Sequence, residues 1–189
     1  MRVISGLCKG RKLVKLQGRQ IRPTSDRTRE AIFNILGQKV KKAKVLDLFA
    51  GTGALGIEAL SRGACHATFI DLSCDIIHQN IELCHFEKKA RVINYDIVKK
   101  CLSEILNEHR FDLVFIDPPY GRGYIEVALQ KKSFTDLLNK DCIIIAEQSC
   151  KENLQIKISA LDIYRQKKYS KTNVNFIKKN SKGWISNVG

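Results

Sequence analysis

Short apolar runs alternating with amphipathic stretches set the pattern of this chain. Lys44-Val-Leu-Asp-Leu-Phe49, Ala67-Thr-Phe-Ile70, Arg91-Val-Ile-Asn-Tyr95, Phe111-Asp-Leu-Val-Phe-Ile116 and Cys142-Ile-Ile-Ile-Ala-Glu147 are rich in β-branched and aromatic residues. Each predicts a buried strand. Between them the spacing turns helical. Leu55, Ala59 and Leu60 share a face over residues 54–62, and Ile77, Ile81 and Cys84 share one over 74–84. Residues 97–108 also read as a helix, as do 123–139 with a break near Ser133. Two last runs, 156–169 and 173–178, predict an antiparallel pair closing around Lys171-Thr-Asn173. Strands alternating with helices imply a doubly wound, mostly parallel seven-stranded α/β sheet. Such sheets bind ligands outside the carboxyl ends of their strands. Gly51, Asp71, Asp96 and Asp117 all fall at strand ends of this kind.

The amino end reads differently. Val3-Ile4 and Leu13-Val14 flank a Gly/Lys/Arg loop, which predicts a small hairpin-like extension. A helix follows, closed by Gly37. Thr24, Ser25 or Asp26 can cap it, with Pro23 just before, and Ile32, Ile35 and Leu36 face inward. The whole chain, 1–189, therefore reads as a single domain: a basic amino-terminal extension and helix over 1–42, then a cofactor-binding and catalytic core over 43–189.

Charge sharpens this division. Residues 1–42 carry 12 Lys/Arg against 2 Asp/Glu, residues 43–150 carry 12 against 15, and residues 151–189 carry 9 against 2. The formal net charge of +14 thus belongs to the two ends. A slightly acidic core with basic ends suits a polyanionic partner, because neutralising phosphates supplies most sequence-independent affinity for nucleic acid. A solvated lysine-rich surface is the plainer account of the carboxyl end. The amino end carries Arg2, Arg11, Arg19, Arg22, Arg27 and Arg29, whose forked donors match phosphate.

Other classes are excluded or disfavoured. No run approaches the ~18–20 apolar residues a membrane helix needs, and the amino terminus lacks a signal-peptide core. A soluble cytoplasmic protein is expected. The 7 cysteines form no Cys-x-x-Cys pair, which disfavours a disulfide framework and a zinc ribbon. Cys74 with His78, and Cys84 with His85, lack paired-ligand spacing, so no metal is expected.

Two motifs carry chemistry. Ala50-Gly51-Thr52-Gly53 lies between a strand and a helix, the opening of a nucleotide-binding unit, where glycines let the backbone approach a ligand. The string Gly51-Thr-Gly53-Ala-Leu-Gly56, with Asp71 twenty positions after Gly51, also fits the dinucleotide fingerprint. A nicotinamide-dependent oxidoreductase is therefore a competitor. The second motif is Asp117-Pro118-Pro119-Tyr120. Two prolines end a strand abruptly and leave a rigid backbone, a carboxylate and an aromatic face together. This is either a turn with a solvent-facing tyrosine or a site for a flat base bearing an amino group. Hydride transfer has no evident use for it. Amino methylation does: Asp117 and the Pro118 carbonyl can accept the amine hydrogens, and Tyr120 can stack on the base.

With these motifs in place, the segments Arg22-Pro-Thr-Ser-Asp-Arg-Thr-Arg-Glu-Ala-Ile-Phe-Asn-Ile-Leu36, Asp47-Leu-Phe-Ala-Gly-Thr-Gly-Ala-Leu-Gly-Ile-Glu-Ala-Leu-Ser-Arg-Gly63 and Asp117-Pro-Pro-Tyr120 resemble the RsmD family. That family comprises bacterial small-subunit (16S) ribosomal RNA guanine-N2 methyltransferases. The resemblance implies a Rossmann-like methyltransferase sheet and S-adenosylmethionine as cofactor. It implies that Asp47, Phe49, Gly51, Gly53, Asp71 and Asp96 serve the cofactor, with Asp71 on the ribose hydroxyls and Asp96 on the adenine amino group. Asp117, Pro118 and Tyr120 are then catalytic. Thr24, Arg22, Arg27 and Arg29 would close over the cofactor or grip phosphates, and Arg11 would contact RNA. The implied partner is small-subunit ribosomal RNA in a partly assembled particle with its ribosomal proteins, met by a monomer. A DNA adenine or cytosine amino methyltransferase shares the tetrapeptide chemistry, although the chain leaves no room for a separate target-recognition domain. An RNA-binding assembly factor without catalysis is a third alternative.

Overall fold

The structure, a computed structural model, describes residues 1–15, 25–106, 110–131 and 134–180. The chain divides into two compact units, Met1–Asp96 and Ile97–Gly189.

In the first unit, β1 (Lys44–Leu48), β2 (His66–Asp71) and β3 (Ala90–Asn94) run parallel with β2 in the middle. β1 is buried from Val45 to Leu48, as expected of a parallel strand covered on both faces. The register pairs Leu48 with Ile70 and Asp71 with Asn94, so the strands finish close to level. Helices α1 (Asp26–Leu36), α2 (Ala54–Ser61) and α3 (Asp75–Leu83) accompany them. Of the three candidate caps for α1, Ser25 serves: its hydroxyl accepts from the Thr28 N–H at 3.0 Å. Gly37 ends the helix in the left-handed region.

Residues 1–15 double back through an antiparallel bridge between Arg2 and Lys12 and lie on the first unit. Their anchor is Glu58, fully buried on α2. Its carboxylate accepts the N–H groups of Ile4 (2.8 Å) and Ser5 (3.1 Å), and the Arg62 guanidinium at 2.7 Å. Arg29 of α1 lies 3.8 Å away, 1% exposed, and donates to the Arg2 carbonyl and to Asp26. Arg62 also sits over the Phe33 ring at 4.9 Å, tying α1 to the same point. One turn further along α2, the Ser61 hydroxyl donates to Ser5 O and accepts from the Cys8 N–H. The approach is so close that a Cβ on Gly6 would stand 1.8 Å from the Ser61 carbonyl oxygen. Only glycine fits there.

In the second unit the strand order is β4 (Phe111–Ile116), β5 (Leu138–Ser149), β7 (Thr172–Lys179), β6 (Leu161–Tyr169). β4 and β5 are parallel, whereas β7 runs antiparallel to both β5 and β6. The seven strands of the chain are thus a mixed set and not a mostly parallel one. The cause is the tight turn at Ser170-Lys171: so short a connection joins only antiparallel strands. Two predicted helices are also corrected. Among the described residues of 97–108 the only helical element is a 3-10 turn at Leu102–Glu104, with Leu102 and Leu106 buried at a spacing that imitates a helical face. The segment 123–139 forms α4 (Tyr124–Leu129) and a 3-10 turn at Phe134–Leu137. It stops there because β5 begins early, at Leu138, which pairs with Phe111. β6 is the outer strand, and after Leu161 its residues are exposed on both faces through Lys168.

Glu58→Ala should cost about 3–5 kcal/mol, the usual penalty for removing one member of a buried ion pair. Urea denaturation would measure it, and the amides of Ile4 and Ser5 should lose protection from hydrogen exchange.

Candidate active site

At the carboxyl end of β1 the backbone turns sharply. Phe49 takes φ 57°, Gly51 φ 58° and Gly53 φ 76° before α2 starts. The Gly51 N–H donates to Asp71 Oδ2 at 2.9 Å, and the Ser73 N–H donates to Asp71 Oδ1 at 3.0 Å. Each oxygen of this half-buried carboxylate thus takes one N–H and keeps capacity for another donor. That is the chemistry a pair of vicinal ribose hydroxyls requires. Asp96 stands two residues beyond β3, half-buried, on a segment held beside β2 by the Tyr95 N–H bond to the Asp71 carbonyl at 3.0 Å.

Asp47 plays a different part from Asp71. It is 1% exposed, and its Oδ2 accepts the Gly56 N–H at 2.9 Å, fixing the first turn of α2 against β1. The contact demands glycine at position 56, where a Cβ would come within 2.3 Å of the Phe69 ring. Burial pushes the Asp47 carboxyl up to about 8; the Gly56 bond pulls it down, and the Asp71 charge pushes it further up. Asp47 therefore supports the turn from beneath. Asn80, fully buried on α3, adds a second support absent from the sequence reading. Its amide donates to the Thr52 carbonyl (2.9 Å) and the Val14 carbonyl, and its oxygen accepts the Val14 N–H at 2.7 Å.

In the second unit, β4 delivers Asp117 half-buried, Pro118 buried, and Pro119 and Tyr120 exposed. Ile116 pairs with Ala146, so Asp117 and Glu147 are the next residues on neighbouring strands. The Tyr120 hydroxyl donates to Glu147 Oε1 at 3.0 Å and lies 3.1 Å from the Thr172 hydroxyl. Burial pushes the phenol well above its ordinary range, reinforced by the Glu147 charge, so it stays a protonated donor. Glu152 holds the following residue: its carboxylate accepts the N–H groups of Gly121 (2.7 Å) and Ser149 (2.9 Å). A cavity of about 300 Å³ opens here, lined by Pro118, Pro119, Tyr120, Tyr124, Glu147 and Glu152 among others. A cavity whose walls combine tyrosine rings with the carboxylates of Glu126, Glu147 and Glu152 suits a planar, donor-rich ligand.

The predicted phosphate-binding arginines separate into three groups. Arg11 and Arg27 are exposed, and the Arg11 guanidinium donates to the Leu83 carbonyl. Arg29 is interior, committed to Glu58, Asp26 and the Arg2 carbonyl, which removes it from phosphate contact. Its spacing on α1 puts it on the same face as Ile32, Phe33 and Leu36. Arg22 and Thr24 lie outside the described residues. Among the described residues, no three His, Cys, Asp or Glu side chains are grouped so as to hold a metal ion, and no helix is long and apolar enough to cross a membrane.

Comparison with known proteins fits this geometry. The family described as "Conserved hypothetical protein 95" matches residues 1–178. A Haemophilus influenzae protein named "Ribosomal RNA small subunit methyltransferase D" is 38% identical over 152 residues, covering 78% of each chain. Its Escherichia coli namesake is 35% identical over 169 residues, 88% of this chain and 84% of that one. The chain belongs to the RsmD family. The solved structure of yhhF from Escherichia coli superposes on this RsmD-family chain with a TM-score of 0.79 at 30% identity, covering 95% of this chain and 98% of that one.

The buried carboxyl yields a pH prediction. Asp47 titrates higher in the folded chain than in the unfolded chain, so its contribution to stability is complete below about pH 4. That contribution is lost as the pH rises to about 8. Asp47→Asn keeps an acceptor for Gly56 without the charge. Thermal melts from pH 4 to 9 should show the variant gaining on the wild type as pH rises, with no further gain above about pH 8 to 9.

Proposed function

We propose that this chain transfers a methyl group from S-adenosylmethionine to the exocyclic N2 amine of a guanine in small-subunit ribosomal RNA, within a partly assembled subunit. The observation that carries the reading is the end of β4: Asp117 leads directly into two rigid prolines that, with Tyr120, line a cavity. Membership of the RsmD family, with relatives named for small-subunit ribosomal RNA, supports the choice of substrate.

When bound, S-adenosylmethionine supplies an electrophilic methyl group on a sulfonium. Asp71 accepts from the ribose hydroxyls, Asp96 from the adenine amino group, and the backbone at Gly51 and Gly53 admits the methionine part. The nucleophile is poor because its lone pair is delocalised into the ring. Asp117 and the Pro118 carbonyl take the two amine hydrogens as acceptors, which returns the lone pair to the nitrogen. Tyr120 stacks on the base, which must leave its helix or loop to arrive there. Arg11, Arg27 and the basic ends supply phosphate contacts whose strength falls with salt.

Methyl-labelled S-adenosylmethionine, offered with small subunits, free RNA or DNA, tests the reading by mass spectrometry of nucleosides. Label is expected in N2-methylguanosine from the subunit, and label in methyladenine from DNA would overturn it. Asp117→Ala should slow transfer by about 10²–10³-fold, the scale seen when a catalytic electrostatic partner is removed. Calorimetry should find cofactor affinity within about twofold of the wild type, a change of under about 0.5 kcal/mol.

A further inference from the structure

We propose that Glu147 is a positioning residue for methyl transfer: with Thr172, it holds the Tyr120 ring by its hydroxyl so that the ring face stays open to the target base. The inference rests on the proposed transfer to guanine and adds to it a residue outside the Asp-Pro-Pro-Tyr motif.

A tyrosine following two prolines at a strand end has a fixed backbone but a side chain free to rotate. A stacking platform that rotates loses the benefit of preorganisation. Here the ring is tethered at its far end. The hydroxyl reaches Glu147 at 3.0 Å and Thr172 at 3.1 Å. Both anchors are themselves fixed, 5% exposed each, on the strands β5 and β7. The antiparallel register pairs Glu147 with Val174 and Ser149 with Thr172. Glu147 and Thr172 are therefore diagonal neighbours on one face of the sheet, an arrangement that places two side chains within reach of a single group. Tyr120 remains 37% exposed, so the tether secures the hydroxyl while part of the residue stays accessible. Glu152, bound to the Gly121 N–H at 2.7 Å, fixes the backbone immediately after the tyrosine. The phenol serves as a handle, and stacking needs only the ring.

The test is a double-mutant cycle read by steady-state methylation of small subunits. Tyr120→Phe keeps the ring and loses the handle; Glu147→Ala loses the anchor. Glu147→Ala should lower kcat/KM by about tenfold, the worth of one hydrogen bond in a preorganised site, and Tyr120→Phe, which also loses the Thr172 contact, by at least about tenfold. The double variant should be no slower than Tyr120→Phe alone, because that change already removes the bond to Glu147. Glu147→Gln keeps an acceptor and should restore activity to within about threefold of the wild type. The loss should leave cofactor affinity unchanged. If Glu147→Ala melts early, Thr172→Val, which is isosteric, replaces it in the cycle with the same expected non-additivity. Additive losses, with the wild type methylating guanine, overturn this inference alone. A wild type that methylates no guanine overturns the proposed function and this inference with it.

Discussion

The buried Glu58 carboxylate is the constraint on which the first unit depends. A carboxylate taken out of water is tolerated only when its oxygens are supplied with donors. Here the donors come from three separate stretches of chain: the backbone of Ile4 and Ser5, the side chain of Arg62 just past α2, and, at ion-pair distance, Arg29 of α1. The requirement to satisfy one charge thus brings the amino-terminal segment, α1 and α2 to a common point. Arg29 meets this requirement at some cost, since among the described residues its Nε and Nη1 have no hydrogen-bond partner and burial lowers its pKa. The arrangement therefore serves specificity of docking more than net stability.

The two aspartates around the glycine turn show how position divides labour between like residues. Asp47 is sealed beneath the turn, favours the neutral form and uses its oxygen to pin α2. Asp71, at the open end of β2, takes backbone N–H groups and stays half-exposed. A similar division appears in the second unit, where Glu147 and Glu152 secure Tyr120 and Gly121 while Asp117 follows directly from β4.

Features written in consecutive residues could be read from the sequence. The strand, turn and helix around Gly51 and Gly53, the acid ending β2, the caps of α1 and the β6–β7 pair all follow from local spacing and composition. Features that depend on distant partners could not. Glu58 meets residues 53 and 54 positions away, and Asn80 meets Val14 across 66. Glu147 stood in plain view as the acid closing an apolar strand, but its partner Tyr120 lies 27 positions back. Arg29 misled because an arginine in a basic segment looks the same whether it faces phosphate or an internal carboxylate. Among the described residues, the helix expected over 97–108 is replaced by a 3-10 turn, where Leu102 and Leu106 lie four residues apart and both reach the core without an α-helix between them.

β6 ends the strand order of the second unit, and among the described residues no strand pairs with its outer edge, a surface on which another extended chain can grow. Arg165, Lys167 and Lys168 on that strand are exposed, as is Lys178 on β7, over the Tyr164 ring at 5.6 Å. A second copy approaching edge to edge would bring like charges together within a Debye length of about 8 Å at physiological salt. Mutual repulsion thus guards the margin. The guard weakens as ionic strength rises, so concentrated salt, often used to keep basic proteins soluble, would here remove the barrier to strand-by-strand self-association.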